Sequence, residues 1–166
     1  MFEPEVLKML GRGLFESIYM TLVSTALAYL FGLPLGIALV VTDNTGILPK
    51  KNFNRVLGLI INLLRSVPFL ILLIAVLPVT RAIVGTTIGS NATVVPLVIA
   101  AAPFIARLVE SSLKEVDKGV IEAARSMGAS TMQVITKVLL PEARPSLLVG
   151  SAIALTTILS YSAMAG

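Results

Sequence analysis

The sequence contains neither cysteine nor histidine, and only 13% of its 166 residues are charged. The first two absences exclude disulfides, histidine–metal sites and the Ser-His and Cys-His pairs of nucleophilic enzymes. Hydrophobic residues, in contrast, make up 56% of the chain. A soluble domain of this size has too little interior to bury so many of them. Much of the chain is therefore predicted to lie in lipid.

Four apolar runs are long enough to cross a bilayer as helices, since about 20 residues span its core. The segment that precedes them contains three acidic residues, which a cleaved signal peptide would not carry. The sequence therefore predicts an all-α integral membrane protein, a single polytopic helical bundle over residues 1–166. Its four predicted spans cover about 17–42, 56–80, 92–109 and 146–166.

Lysine and arginine are distributed unevenly over the connecting segments. Segment 43–55 holds three and segment 107–145 holds six, against three in segments 1–16 and 81–91 together. Positive charge favours the cytoplasmic side, so we expect the N-terminus outside and these two segments inside. Topology then explains the net charge of +4, and no nucleic-acid partner is expected. The sequence stops at Gly166 directly after an apolar run, which predicts a C-terminal truncation.

The sequence lacks the residues by which a membrane protein binds a nucleotide or couples to an ion gradient. No phosphate-binding loop of the pattern G-x-x-x-x-G-K-[ST] occurs, so the chain is not expected to bind nucleotide. The apolar runs contain no Asp, Glu or His to relay protons or to help bind a coupling ion, although backbone carbonyls at a broken helix could bind sodium. We predict that the chain is not an enzyme and that another polypeptide supplies any energy.

The charged segment at about 110–145 has the pattern of short helices. Asp117 is placed to cap a helix over Lys118–Met127, and Gly128 is suited to end it. Val120, Ala124 and Met127 fall on one face of that helix. Such a helix could lie in the membrane interface, or it could dock into a groove of a cytoplasmic partner. Small Ala123 and Ala124 would allow a close approach in the second case.

A second helix is predicted directly after the first. Ser130 and Gln133 have the spacing of a capping box, and the helix is expected to cover Thr131–Leu140. Pro141 is expected to stop it.

The same segment resembles the EAA motif of binding-protein-dependent ABC importer permeases. The motif is carried by Glu122-Ala123-Ala124, Gly128, Val138 and Leu140-Pro141, and the family has Ile where this chain has Val138. Three further stretches are similar to the methionine-type branch of that family: Arg65–Gly89, Ala101–Glu110 and Tyr161–Gly166. Such permeases are expected to have one more helix after the last of these.

The resemblance implies a type I ABC importer transmembrane domain in a bacterial inner membrane, apparently without its last helix. Its implied partners are a second copy of the chain, a cytoplasmic ATPase dimer that binds ATP and Mg²⁺, an external substrate-binding lipoprotein and D- or L-methionine. Another small amino acid stays open as the substrate, and so does a non-transporting scaffold. The residues implied to contact the ATPase, within 117–141, are Glu122, Ala123, Ala124, Met127, Gly128, Leu140 and Pro141.

Four residues are candidates for lining a substrate pathway. Tyr161, Ser162 and Met164 lie in a stretch that is similar to the methionine branch, and Met164 could contact a thioether. Hydroxyl groups of this kind also bond their own helix or a neighbouring one. Arg65 is a cation inside an apolar run; it either extends to the headgroups or faces the inner vestibule or a second subunit.

Residues 32–36 carry another pattern within the first predicted span. Gly32 and Gly36 are separated by three residues, with Pro34 between them. Small residues at this spacing allow two membrane helices to approach closely. We therefore expect a helix contact here rather than a gate.

Overall fold

The computed structural model describes residues 4–165, and helices make up most of that range. Three of them are long and apolar enough to cross a membrane, and they correspond to the first, third and fourth apolar runs. In chain order the elements are α1 (Pro4–Val41), α2 (Lys51–Ser66), α3 (Phe69–Ala75), α4 (Leu77–Val84), α5 (Ser90–Lys114), α6 (Lys118–Ser126), α7 (Thr131–Val134), a π-helical turn (Ile135–Leu139), α8 (Leu140–Glu142) and α9 (Arg144–Ala165).

The second apolar run is not the single helix that its composition predicts. Helices α2 and α3 meet at 101°, and Val67 between them has an extended backbone. A residue that precedes proline is disfavoured in the helical region, so Pro68 explains why the helix stops there. A second interruption at Val76 is followed by Pro78 in the first turn of α4. The run therefore makes a broken path instead of a straight rod.

Helix α5 is the centre of the bundle, and α1 packs along it most closely. Gly32 and Gly36 of α1 are both buried. A Cβ atom on Gly32 would lie 2.7 Å from Cγ2 of Ile105, and one on Gly36 would lie 2.6 Å from the carbonyl oxygen of Ala106. The two backbones can approach this closely only because neither position carries a side chain. The structure thus confirms the packing role of the two glycines.

The main apolar core runs without interruption from the membrane helices into the charged segment. Ala28, Ile105 and Ile158 connect α1, α5 and α9 in the bundle. Leu113, Ala124 and Leu139 continue the same cluster beyond the end of α5. The segment that follows α5 is therefore packed onto the bundle and does not hang from it as a free loop.

Both predicted caps of this segment are present. The Asp117 side chain accepts a hydrogen bond from the backbone N–H of Gly119 at 2.6 Å, and α6 ends before Gly128, whose φ is +84°. Ser130 and Gln133 form the reciprocal capping box. These caps begin α6 and α7 where the sequence predicts.

The prediction that Pro141 stops the second helix is wrong. The helical path continues through the π turn to Glu142. In an α-helix the proline ring would clash with the carbonyl of the residue four positions earlier. The π turn inserts one extra residue before the proline, with the Leu140 N–H donating to the Ile135 carbonyl, and this wider turn makes room for the ring.

Candidate functional sites

Helix α6 presents most of the predicted coupling residues on its outer surface. Glu122, Ala123, Met127 and Gly128 are all exposed, and the Met127 side chain is 82% exposed. A thioether left so open at the end of a short helix is available to another molecule. Leu140 and Pro141 directly follow the π turn, which packs against α6, and both are half-buried.

Ala124 corrects the prediction for this helix. It is only 7% exposed and belongs to the main core, whereas Val120 and Met127 are exposed. The three residues therefore do not act as one apolar face. Of the two alanines, Ala123 is available to a partner and Ala124 attaches the helix to its own bundle.

The connection after α1 forms the other side of this attachment. Ile47, in that connection, is buried in the same core cluster as Ala124. A cavity of about 190 Å³ separates the connection from α6, and its walls include Gly46, Ile121, Glu122 and Leu139. The connection after α1 and helix α6 therefore share the main core through Ile47 and Ala124 and form two walls of one cavity.

A chain of charged side chains joins the same elements. Nζ of Lys114 lies 2.8 Å from Oε1 of Glu110 and 3.0 Å from Oδ2 of Asp43. Glu110, only 9% exposed, also pairs with Arg107. Arg107 in turn donates to the Gly58 carbonyl at 3.1 Å. The chain thus connects the end of α1 through α5 to α2.

These ion pairs shift the pKa values of two side chains: Asp43, just after α1, and Lys114, the last residue of α5. The hydrogen bond from Lys114, outweighing the opposing effect of burial, lowers the pKa of Asp43 below its ordinary value of 3.8. The hydrogen bond to Glu110, followed by the one to Asp43, raises the pKa of Lys114 above its ordinary 10.5. Sequence reasoning missed this network. The spacing of Arg107 and Lys114 around Glu110 is a visible helical signal, whereas the approach of Asp43 is not.

Two of the four predicted pathway residues meet at one cavity. Arg65 and Tyr161, from α2 and α9, both line a cavity of about 250 Å³ at the break of the second apolar run. The Arg65 guanidinium carbon lies 6.0 Å from the ring centroid of Phe104. Tyr161 stacks on Phe69, with centroids 4.5 Å apart and planes 4° from parallel. Sequence reasoning singled out neither Phe69 nor Phe104.

The other two predicted pathway residues do not line this cavity. Ser162 is 2% exposed, and its hydroxyl donates to the Leu159 carbonyl at 2.8 Å. Its hydrogen bond is therefore made within α9. Met164 is 59% exposed on the last turn of α9. It is therefore free to contact another chain, lipid or a solute.

A larger open cavity, about 840 Å³, lies at the opposite end of the bundle. The connection between α4 and α5 contributes Thr86 and Ile88, the first turn of α5 contributes Asn91, and α1 contributes Arg12. Two glycines with positive φ, Gly85 and Gly89, shape that connection. Within residues 4–165, no group of acidic side chains is arranged to hold a metal ion.

The chain resembles known membrane proteins over most of its length. Residues 29–166 match the sequence model of a family described as "Binding-protein-dependent transport system inner membrane component". A probable D-methionine transport system permease protein, MetI, of Vibrio cholerae is 52% identical over 151 residues, or 91% of this chain and 67% of that protein. The D-methionine transport system permease protein MetI of Escherichia coli K12 is 48% identical over all 166 residues, or 76% of that protein.

Solved structures of transporter chains also match this chain. A chain of the MetNI methionine ABC transporter in an inward-facing conformation matches with a TM-score of 0.97 and 47% identity, over 98% of this chain and 76% of that one. A crystal structure of an amino acid ABC transporter with histidines matches more distantly, with a TM-score of 0.63 and 27% identity over 96% of this chain.

Proposed function

Because the chain belongs to the family of inner membrane components of binding-protein-dependent transport systems, we propose that it is the permease subunit of a methionine ABC importer. The observation that carries the proposal is the match to the methionine transporter chain, with a TM-score of 0.97 at 47% identity. The chain has the type I ABC importer fold and spans a bacterial inner membrane several times. It is not an enzyme, because ATP hydrolysis in these transporters belongs to a separate subunit.

The proposed assembly has two copies of the chain, a cytoplasmic ATPase dimer that holds ATP and Mg²⁺, and an external substrate-binding lipoprotein. Its orientation places the N-terminus outside and segment 107–145 in the cytoplasm. The cation count of the connecting segments supports this orientation. The polar cavity at Thr86 and Asn91 then opens to the outside, on the side from which substrate arrives.

The exposed surface of α6 is proposed as the ATPase contact. Glu122, Ala123, Met127 and Gly128 would face the partner, and Ala124 would hold the helix to the bundle. Leu140 and Pro141 would support α6 through the preceding π turn, which packs against that helix. Because the core is continuous from Ala124 to Leu113 and on to Ile105, a displacement of α6 would be transmitted to α5. ATPase closure would in this way change which end of the pathway is open.

Uptake of radiolabelled methionine tests the proposal. The chain is co-expressed with its cognate ATPase and binding protein in cells that lack other methionine importers, and a hydrolysis-deficient ATPase variant serves as the control. We expect saturable uptake that unlabelled methionine inhibits and that the control abolishes. Accumulation of a different amino acid would contradict the substrate assignment. An ATPase that co-purifies with the chain while no solute accumulates would support a membrane scaffold instead.

A further inference from the structure

We propose that the cavity between Arg65, Phe104 and Tyr161 is a substrate-binding site in the membrane. In this site Arg65 binds the α-carboxylate of the amino acid, and the aromatic rings contact its side chain. The inference rests on the proposed function and deepens it, because it gives the permease a chemical basis for recognising its solute. Three observations support it: the unused hydrogen-bond donors of Arg65, the aromatic wall and the volume of the cavity.

Arg65 has donors to spare, unlike Arg107 on the neighbouring helix α5. Arg107 is engaged by Glu110, the Asn62 side chain and the Gly58 carbonyl. Arg65 makes no hydrogen bond or ion pair with any other residue in the range 4–165, and its guanidinium lies over the π face of Phe104. A cation in an apolar run is costly unless something pairs with it. A carboxylate can take two parallel hydrogen bonds from a guanidinium.

The aromatic wall consists of stacked rings that are packed against buried apolar side chains. Phe69 is buried in a small cluster with Met20 and Leu97, and it holds the ring of Tyr161 by stacking. Sulfur of a thioether makes favourable contacts with aromatic rings. The Tyr161 hydroxyl makes no hydrogen bond within the described part of the chain, so it is free to bind the polar end of a solute.

The volume of the cavity suits a single amino acid. Pockets for drug-sized ligands measure roughly 300–1,000 Å³, and this one is about 250 Å³. Its location also fits a transport site, because it lies where α2 and α3 break. Transporter sites are typically built where membrane helices are discontinuous.

The sequence has no tryptophan, which provides a local probe of this cavity. In the purified full chain, F104W places the chain's single indole in the wall beside Arg65, and tryptophan keeps the cation–π contact. We expect methionine to change its fluorescence saturably. Methioninol, which lacks the carboxylate, is expected to bind at least about tenfold more weakly, as is methionine to the F104W/R65Q double variant.

The matched control is F104W/R81Q. Arg81, like Arg65, lies in the last turn of its helix, so it shares any interaction with the helix dipole, but it does not line the cavity. This variant should bind methionine as tightly as F104W does. The wild-type chain gives a second readout that needs no tryptophan: saturation-transfer NMR of the methionine methyl group, weakened by R65Q and not by R81Q.

The two readouts separate this inference from the proposed function. If cells import methionine but R65Q leaves the NMR signal and the affinity unchanged, the site is wrong and the importer stands. If R65Q instead dissociates the two copies of the chain, Arg65 is an interface residue and the site is also wrong. If the cells import no methionine while Arg65-dependent binding is present, the importer assignment fails and the site stands as a receptor for an amino acid.

Discussion

A methyl group added to Gly36 would lie 2.6 Å from Cβ of Val109, because α1 and α5 approach backbone to backbone at this point. The neighbours on α5 are a β-branched side chain and a carbonyl group, neither of which can move aside easily. The contact lies in the main core that connects the membrane helices to the charged segment after α5. This position therefore tests whether close helix packing holds the bundle together.

We expect G36A to lower the thermal stability of the detergent-solubilised protein. Overpacking of this kind costs about 1–3 kcal/mol, although alanine favours the helix intrinsically. The control is G13A in the same helix, where an added Cβ meets nothing within 4 Å. G13A should leave the melting temperature unchanged or raise it. Equal melting temperatures for G36A and the wild-type protein would contradict the packing role.

The glycine pair and the two helix caps show what local sequence patterns can predict. Asp117 and Ser130 act on backbone N–H groups within three residues, so their signal lies entirely in the neighbouring sequence. The path beyond Pro141 could not be predicted in the same way. Proline is expected to end a helix, and the π turn that accommodates it places Leu139 in the core, a distant contact that no local pattern shows.

The ion pair between Asp43 and Lys114 predicts a dependence of stability on pH. The pKa of Asp43 is lowered in the folded chain, so its contribution is present above the unfolded pKa, near 3.8, and is lost as the pH falls through the folded value. The pKa of Lys114 is raised, so its contribution is present below about pH 10.5 and is lost as the pH rises further.

D43N should therefore flatten the acid limb of a plot of melting temperature against pH. Within residues 4–165 Asp43 forms no second ion pair, so the alkaline limb should change mainly through Lys114, which keeps Glu110 as a partner. The control is E16Q, which removes an exposed carboxylate paired with Arg12 within α1. If D43N and E16Q alter the acid limb to the same extent, the ion pair has no special effect.

Gly128 allows the proposed coupling role of α6 to be separated from simple strain. Its φ is +84°, which a β-branched residue adopts only at a cost of about 1–2 kcal/mol. Gly85 has a φ of +82°, and like Gly128 it has no atom within 4 Å of an added Cβ. The two glycines are therefore matched in strain and in free space, and they differ in location.

We expect G128V to reduce co-purification of the ATPase and to uncouple its hydrolysis from transport. G85V should retain the ATPase, because it carries the same strain at a site away from α6. The measurement is the ratio of ATPase to permease after affinity purification from membranes. Equal loss in both variants would mean that strain, and not the position beside Met127, causes the effect.

Convergence of distant residues could not be predicted from the sequence. Arg65 and Tyr161 each have a visible signal, one as a cation in an apolar run and the other as part of a family-like stretch. Their meeting depends on the 101° break between α2 and α3. The sequence shows the proline that permits the break, whereas the angle follows from how α3 packs against α5 and α9. The same break carries Phe69 to its stacking position on Tyr161.

Met164 is the remaining pathway candidate, and its exposure makes it a direct test. M164A removes a flexible thioether that is 59% exposed, so the cost to folding should be small. If Met164 narrows the pathway, the variant should change methionine flux or raise basal ATPase activity, because a smaller side chain relaxes the constriction. L148A is the control, as Leu148 is 70% exposed on the same helix but about 160° away around its axis. Unchanged flux and ATPase activity in M164A would place this side chain outside the pathway.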